Sequence, residues 1–156
     1  MIVVYPLFFC LNLRDFVIIS TEVKMDRKCF AKINLSLDSL YKRADNYHEI
    51  DTIMARISLF DELTIKPSDD NKFHYSSNID GICKLEDNLV YKAWAMLKDK
   101  TNNPGVYVRL KKNIPLAAGL AGGSTDAAEM IKGLNKLWNL NLSKDYMICL
   151  LYTSDA

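Results

Sequence analysis

The stretch PLAAGLAGGSTDAA, Pro115–Ala128, has the residue types of an anion cradle. Gly119, Gly122 and Gly123 allow backbone angles closed to other residues and let the chain approach a ligand closely. Successive amides in such a loop can point into one concavity. A helix beginning near Ser124 adds its free N–H groups and the positive end of its dipole. Ser124 and Thr125 bring hydroxyls for phosphate oxygens or a magnesium ion. No Lys follows the glycines where a Walker A loop has one, and the spacing is not the dinucleotide G-x-G-x-x-G. The plainer alternative is a flexible loop feeding a capped helix, with Asp126 and Glu129 as a capping-box-like pair.

A second candidate lies upstream, where residues 27–37 alternate as a strand. Cys29, Ala31, Ile33, Leu35 and Leu37 share one face; Lys28, Lys32, Asn34 and Ser36 share the other, with Phe30 the exception. Lys32 and Asn34 are therefore neighbours on a polar face.

The elements that must position these groups follow from pattern. A turn-rich stretch, Lys42–Tyr47, contains Asp45-Asn46, and Asn tolerates left-handed backbone. Strands are expected near Glu49–Ser58, Glu62–Lys66 and Phe73–Tyr75, with a polar loop from Pro67 to Asn71. Asp87-Asn88 caps a helix carrying Leu89, Val90, Ala93, Trp94 and Leu97 at helical spacing, and Asn102–Gly105 ends it. Val106, Val108 and Leu110 alternate as a further strand before the glycine loop. Beyond it, Ala127, Ile131, Leu134 and Trp138 fall on one helix face. Trp94 and Trp138 read as core residues. There is no internal repeat, and the whole reads as one α+β domain.

Composition narrows the function classes. The 156 residues suffice for one domain with a real core. Apolar residues at 49% and charged residues at 25% are ordinary for a soluble chain. A net charge of +1 makes no electrostatic case for a nucleic-acid or membrane partner. Cys10, Cys29, Cys83 and Cys149 are scattered without a C-x-x-C pair, and two histidines are too few for a zinc site. Reduced thiols in the cytoplasm are the expectation. No apolar stretch reaches the ~20 residues of a spanning helix. Met1–Cys10 lacks the basic start and cleavage site of a signal peptide.

The two ends depart from the rest. MDRKCFAKINLSLD from Met25 reads as a natural start, so residues 1–24 are expected to be non-native read-through, the alternative being an extra N-terminal strand from IVVY and FVII. CLLYTSDA resembles translated sequencing adapter, so residues 149–156 are expected to be non-native, the alternative being a short natural tail. The interpretable domain is then 25–148.

AKINLSL at Ala31–Leu37, taken with the glycine loop, resembles the GHMP kinases. DNYHEIDT at Asp45–Thr52 resembles the D-G-Y-H stretch of one GHMP family, the 4-diphosphocytidyl-2-C-methyl-D-erythritol kinases of the non-mevalonate route to isoprenoid precursors. DNLVYKA and LNKLWNLNLS look like that family too. The resemblance runs from about Met25 to Ile148 and covers about half of a usual member. It implies the α+β fold of the GHMP N-terminal domain, similar to a ribosomal-protein domain 2, with the C-terminal domain missing. It also implies transfer of the γ-phosphoryl group of ATP, with Mg2+, to a hydroxyl of the methylerythritol part of a cytidine-diphosphate-linked substrate. By the same resemblance Lys32 is the active-site lysine, orienting the acceptor hydroxyl and offsetting developing charge. Asn34 hydrogen-bonds the substrate, and Tyr47 and His48 line the cytosine pocket, with no acid–base duty for His48.

The ATP cradle is Pro115, Leu116, Ala117, Ala118, Gly119, Leu120, Ala121, Gly122, Gly123, Ser124 and Thr125 in this reading. Asn88, Leu89 and Lys112 form the adenine side, and no protein side chain is assigned as a direct metal ligand. The chain departs from the family at Ala44 (often Pro), Asn46 (usually Gly), and Ala118 and Ala121 (commonly Gly), the last two restricting the loop backbone. The family's general base is an Asp in a G-A-D-V-P stretch, expected beyond Ala156. Neither Asp155 nor Asp126 takes that role here, and Asp126 reads as a cap or magnesium-side group. The piece alone is expected to have little activity. The alternatives are a GHMP kinase for another small alcohol and a non-catalytic nucleotide- or RNA-binding domain. The sequence carries no sign of oligomeric state.

Overall fold

The computed structural model describes residues 23–153 apart from Asp45, Tyr47, Asp80 and Ile82. Most of the 1–24 segment and the last three residues of the 149–156 segment lie outside that range. Strands β1 (Met25–Lys42) and β2 (His48–Pro67) pair antiparallel as one long hairpin. The sequence suggests two strands where β2 runs unbroken. Phe60 and Asp61 keep it extended, because Phe60 sits opposite Phe30 with ring centroids 5.4 Å apart and Asp61 sits opposite Cys29. The hairpin register shifts between Phe30 and Lys32, Asn34 and Ser36, and Ser39 and Tyr41. Such irregularities bend a strand and re-aim its side chains.

A β–α–β unit follows: β3 (Phe73–Ser77), α1 (Leu89–Leu97) and β4 (Val106–Lys111). β4 runs parallel to β3 and antiparallel to β2, giving the sheet order β1-β2-β4-β3. Two more helices follow among the described residues, α2 (Gly122–Leu137) and α3 (Lys144–Thr153). α3 runs through Cys149–Thr153, and Leu150 and Leu151 pack against the core.

One face of the sheet is buried. Cys29, Leu63, Ile65, Val106, Val108 and Leu110 meet Val90, Ala93 and Leu97 of α1 and Ala127, Met130, Ile131 and Leu134 of α2. The strict alternation of β4 is visible as burial of Val106, Val108 and Leu110 with Tyr107, Arg109 and Lys111 exposed. Trp94 is a core residue, its indole N–H donating to the Pro104 carbonyl at 2.7 Å, and Trp138 packs half-buried at the edge. Gly133 belongs to the close approach of α2 to β2, since a β-carbon there would strike Ile65. Arg27 of β1 holds Glu129 of α2 at 2.6 Å.

The alternating pattern of β1 does not mean burial along its whole length. Cys29 and Ala31 are fully buried, but Leu35 and Leu37 are 64% and 55% exposed. The core elements meet the near part of the hairpin, and its distal part carries Leu40, Tyr41, Ile50, Ile53 and Met54 exposed as well. Among the described residues no helix is long and apolar enough to cross a membrane.

Candidate functional site

β4 delivers the chain to the glycine-rich loop through Lys112, Asn113 and Ile114, and these three are tightly held. The Asn78 side chain clamps the Lys112 backbone, accepting from its amide at 2.7 Å and donating to its carbonyl at 3.0 Å. Asp61 Oδ1 accepts from the amides of Asn113 (2.5 Å) and Ile114 (2.8 Å). The Lys112 ammonium turns inward, to Asp61 Oδ2 at 2.5 Å and Asp126 Oδ2 at 2.7 Å. Its placement is therefore that of an internal counter-ion, while the residue as a whole still borders the loop.

The loop itself is exposed from Pro115 to Gly119, and its backbone is left-handed at Ala117 (φ 54°), Gly119 (φ 71°) and Ala121 (φ 60°). Ala118, grouped with Ala121 on sequence, is not among the left-handed residues. α2 begins at Gly122, two residues before Ser124, because Ala121 caps it through its backbone turn with no side-chain hydrogen bond. The Asp126–Glu129 capping pair does not form: Asp126 bonds Lys112, and Glu129 bonds Arg27 and Lys132. Thr125 Oγ1 donates to the Gly122 carbonyl at 3.0 Å.

The strand of Lys32 reaches this loop directly. The Lys32 amide donates to the Leu120 carbonyl at 3.1 Å, and its ammonium donates to Asn34 Oδ1 at 3.3 Å. Asn88 acts as the N-cap of α1, accepting from the Val90 amide at 2.9 Å. A cavity of about 270 Å3 runs along Leu89, Lys112 and the loop from Pro115 to Ser124. A second, of about 180 Å3, is walled by Asn88, Leu89, Lys112, Leu116, Gly123, Asp126 and Tyr75, among others. Two buried polar atoms without a hydrogen-bond partner, Tyr75 Oη and Asp126 Oδ1, belong to residues of that wall.

His48 stands apart. It pairs with Lys42 at the distal end of the hairpin, ten residues along β1 from Lys32 (42 − 32). That is up to about 33 Å of extended strand. Tyr47 lies outside the described residues. The structure thus gathers Asn88, Leu89 and Lys112 with the loop, ties the Lys32 backbone to the loop at Leu120, and leaves His48 at the hairpin tip. A cavity of about 550 Å3 lies elsewhere, against the sheet strands around Lys28, Glu62 and Arg109. It has no loop residue in its wall, and two of its cations, Lys24 and Lys111, are paired with Asp26 and Glu62.

Asp61 is the site-adjacent residue that sequence reasoning missed. The signal was present: it occupies an inward position in phase with Leu63 and Ile65, where an apolar residue is expected. The electrostatics of the cluster follow from its burial. Burial raises the Asp126 carboxyl to about 6, against the opposing pull of Lys112. Burial alone would lower Lys112, but its bonds to Asp126 and Asp61 outweigh that and raise it. Burial and neighbouring Asp126 push the Cys29 thiol well up. Among the described residues no three His, Cys, Asp or Glu side chains gather as a metal site.

Comparison with known proteins agrees with this geometry. Residues 88–155 match the model of the GHMP kinases N terminal domain. The chain is 53% identical over 123 residues to the 4-diphosphocytidyl-2-C-methyl-D-erythritol kinase of Thermoanaerobacter sp. strain X514, covering 78% of this chain and 42% of that one. It is 47% identical over 120 residues to the corresponding Symbiobacterium thermophilum protein, covering 76% of this chain and again 42% of the relative. The chain therefore spans about two fifths of the length of the curated relatives it matches. Among solved structures it resembles a 4-(cytidine 5'-diphospho)-2C-methyl-D-erythritol kinase with a TM-score of 0.72 and 35% identity, over 85% of this chain and 46% of that one. Lactococcus lactis galactokinase shares the fold at a TM-score of 0.64 and 19% identity, over 85% of this chain and 37% of that one. The α+β architecture, the glycine-rich loop feeding α2 and the sequence similarity to these kinases agree, and the chain carries a GHMP kinases N terminal domain.

Proposed function

We propose that this chain is the ATP-binding and acceptor-binding part of a kinase that transfers the γ-phosphoryl group of ATP to a hydroxyl of 4-(cytidine 5'-diphospho)-2-C-methyl-D-erythritol. The observation that carries this reading is the Lys32 amide bonded to the Leu120 carbonyl at 3.1 Å. It joins the lysine-bearing strand to the phosphate-type loop through the backbone, with the Lys32 ammonium held by Asn34 Oδ1 at 3.3 Å. The residues present suit the nucleotide. The loop borders an open cavity, a β-carbon on Gly119 would meet nothing within 4 Å, and two unpartnered polar atoms lie on residues walling the adjoining cavity. Bound MgATP supplies the phosphoryl group and part of the charge neutralisation.

The chain's own residues then divide the work. Loop amides and the start of α2 hold phosphate oxygens. Ser124 and Thr125 stand at the magnesium side. Asn88 and Leu89 border the adenine side. Lys32 orients the acceptor hydroxyl and offsets the charge that develops on transfer, with Asn34 fixing both lysine and substrate. His48 and Tyr47 are assigned the cytosine end of the substrate on the resemblance alone. Asp126 is not the general base, because it is buried against Lys112. The base belongs to sequence beyond these residues, so the chain alone turns over little. The described cysteines are all free thiols, which suits a cytoplasmic setting.

Calorimetric titration tests the reading. The chain is expected to bind MgATP and, separately, cytidine diphosphate. Lys32→Met weakens binding of the methylerythritol substrate about tenfold, the ~1.5 kcal/mol of a charge-assisted hydrogen bond, and leaves MgATP affinity unchanged. Failure of cytidine diphosphate to bind removes the acceptor assignment. Turnover by residues 1–156 at the rate of an intact relative refutes the expected inactivity.

A further inference from the structure

The Asp61–Lys112–Asp126 cluster is an expensive construction that the phosphoryl-transfer roles above do not use. Side-chain exposure is 0% for Asp61, 5% for Lys112 and 3% for Asp126. Three buried charges cost several kcal/mol each in desolvation, and apolar replacements of equal volume are often no less stable. Stability is therefore a poor reason for the cluster.

Its connections point to geometry instead. Lys112 precedes the loop and Asp126 follows it, fourteen residues apart, and one ammonium joins them. Asp61 grips the same ammonium with one oxygen and, with the other, fixes the Asn113 and Ile114 amides that lead into the loop. The Asn113 side chain adds a bond to the Phe60 carbonyl at 2.9 Å. Gly122, the first residue of α2, accommodates the lysine: a β-carbon there would lie 3.2 Å from Lys112 Nζ and 3.1 Å from Ile114 Cγ2. Both ends of the loop are thus referred to a single point on β2.

We propose that Asp61, Lys112 and Asp126 are positioning residues for the nucleotide, Asp61 holding the near end of the loop and Asp126 the far end through their shared ammonium, so that the loop amides are set for phosphate before it arrives. This rests on the reading of the loop as an ATP cradle. The cluster also has a charge consequence. Facing Asp126 are Asp61 from β2, Lys112 after β4 and the Cys29 thiol from β1, with Glu129 of α2 acting on Cys29. Two carboxylates against one ammonium leave a surplus negative charge beside the cradle. The carboxyl of Asp126 titrates near 6, above its ordinary 3.8. Its ionisation therefore costs stability as pH rises from about 4 through 6, and above that range the surplus charge opposes an incoming phosphate.

The test uses the whole chain, with MgATP titrations and amide hydrogen exchange over residues 114–125. Asp61→Leu is expected to bind MgATP about tenfold more weakly and to exchange faster across the loop, since two anchoring bonds to a charged acceptor are gone. Asp61→Asn keeps an acceptor for both amides and restores most of the affinity. Val106→Ala, at the far end of β4, loses comparable stability with wild-type affinity. Asp126→Asn removes the surplus charge, so its affinity advantage over wild type grows as pH rises through 6 and vanishes below it. If Asp61→Leu does not fold, the double variant Lys112→Met/Asp126→Leu replaces it, with the same expected loss. A folded Asp61→Leu or double variant with wild-type affinity and exchange overturns the proposal, as does an Asp126→Asn advantage independent of pH. A wild-type chain that binds no MgATP overturns the kinase reading beneath it, whereas wild-type binding with unresponsive variants overturns the positioning role alone.

Discussion

Ala121 holds a left-handed backbone, φ 60°, at the point where the loop becomes α2. A β-carbon in that region costs about 1–2 kcal/mol, part of which glycine returns through its freer unfolded chain. Ala121→Gly is therefore expected to raise stability by about 1 kcal/mol in urea unfolding. Ala118→Gly, away from the left-handed region, is expected to lower it. Equal effects at the two positions would show that Ala121 is not strained. Sequence grouped these alanines because both stand where glycine is common in the family; only backbone angles separate them. The same limit governs the charged residues. Lys32 and Asn34 were legible because strand period alone makes them neighbours, and they share a hydrogen bond at 3.3 Å. Asp61 shows in the sequence only as a charge at an inward position, because its role comes from Lys112, 51 residues away.

At the scale of elements, α1 and β4 follow their sequence patterns closely. Asn88 caps α1, and the inward residues of both elements are buried. Asn88 also borders the cavity assigned to the adenine side, so cap and ligand roles must be separated. Asn88→Ala is expected to cost about 1 kcal/mol of stability through the lost cap. Asn88→Ser keeps the cap, and a weaker MgATP affinity in that variant isolates the ligand role by thermal unfolding and titration of the same samples. Unchanged affinity in Asn88→Ser leaves the cap alone. Element boundaries were harder to read. The start of α2 was misplaced by two residues because its cap is a backbone turn and not a side chain. The sequence pattern leaves residues 59–61 between two strands, whereas β2 runs through them, with a register shift against β1 between Phe30 and Lys32.

Across the molecule, the sheet carries helices on one face, and the long hairpin extends past them with an apolar distal arm. Local motifs announced the family because a glycine loop and a lysine strand are each written in a few consecutive residues. The distance between His48 and Lys32 was not legible, since it depends on how far two paired strands run before turning. Nor was the exposure of Leu35 and Leu37, because alternation fixes which face a residue takes and not whether anything covers that face. What unites the scales is one claim: the loop from Pro115 to Thr125 holds ATP phosphates beside Lys32. Amide hydrogen exchange of the whole chain with and without MgATP tests it most directly. The account predicts slowed exchange concentrated at residues 115–125, with a smaller effect at Lys32 through its bond to Leu120. Protection confined to another surface, such as the strands around Lys28 and Arg109, or no protection at saturating MgATP, would contradict it.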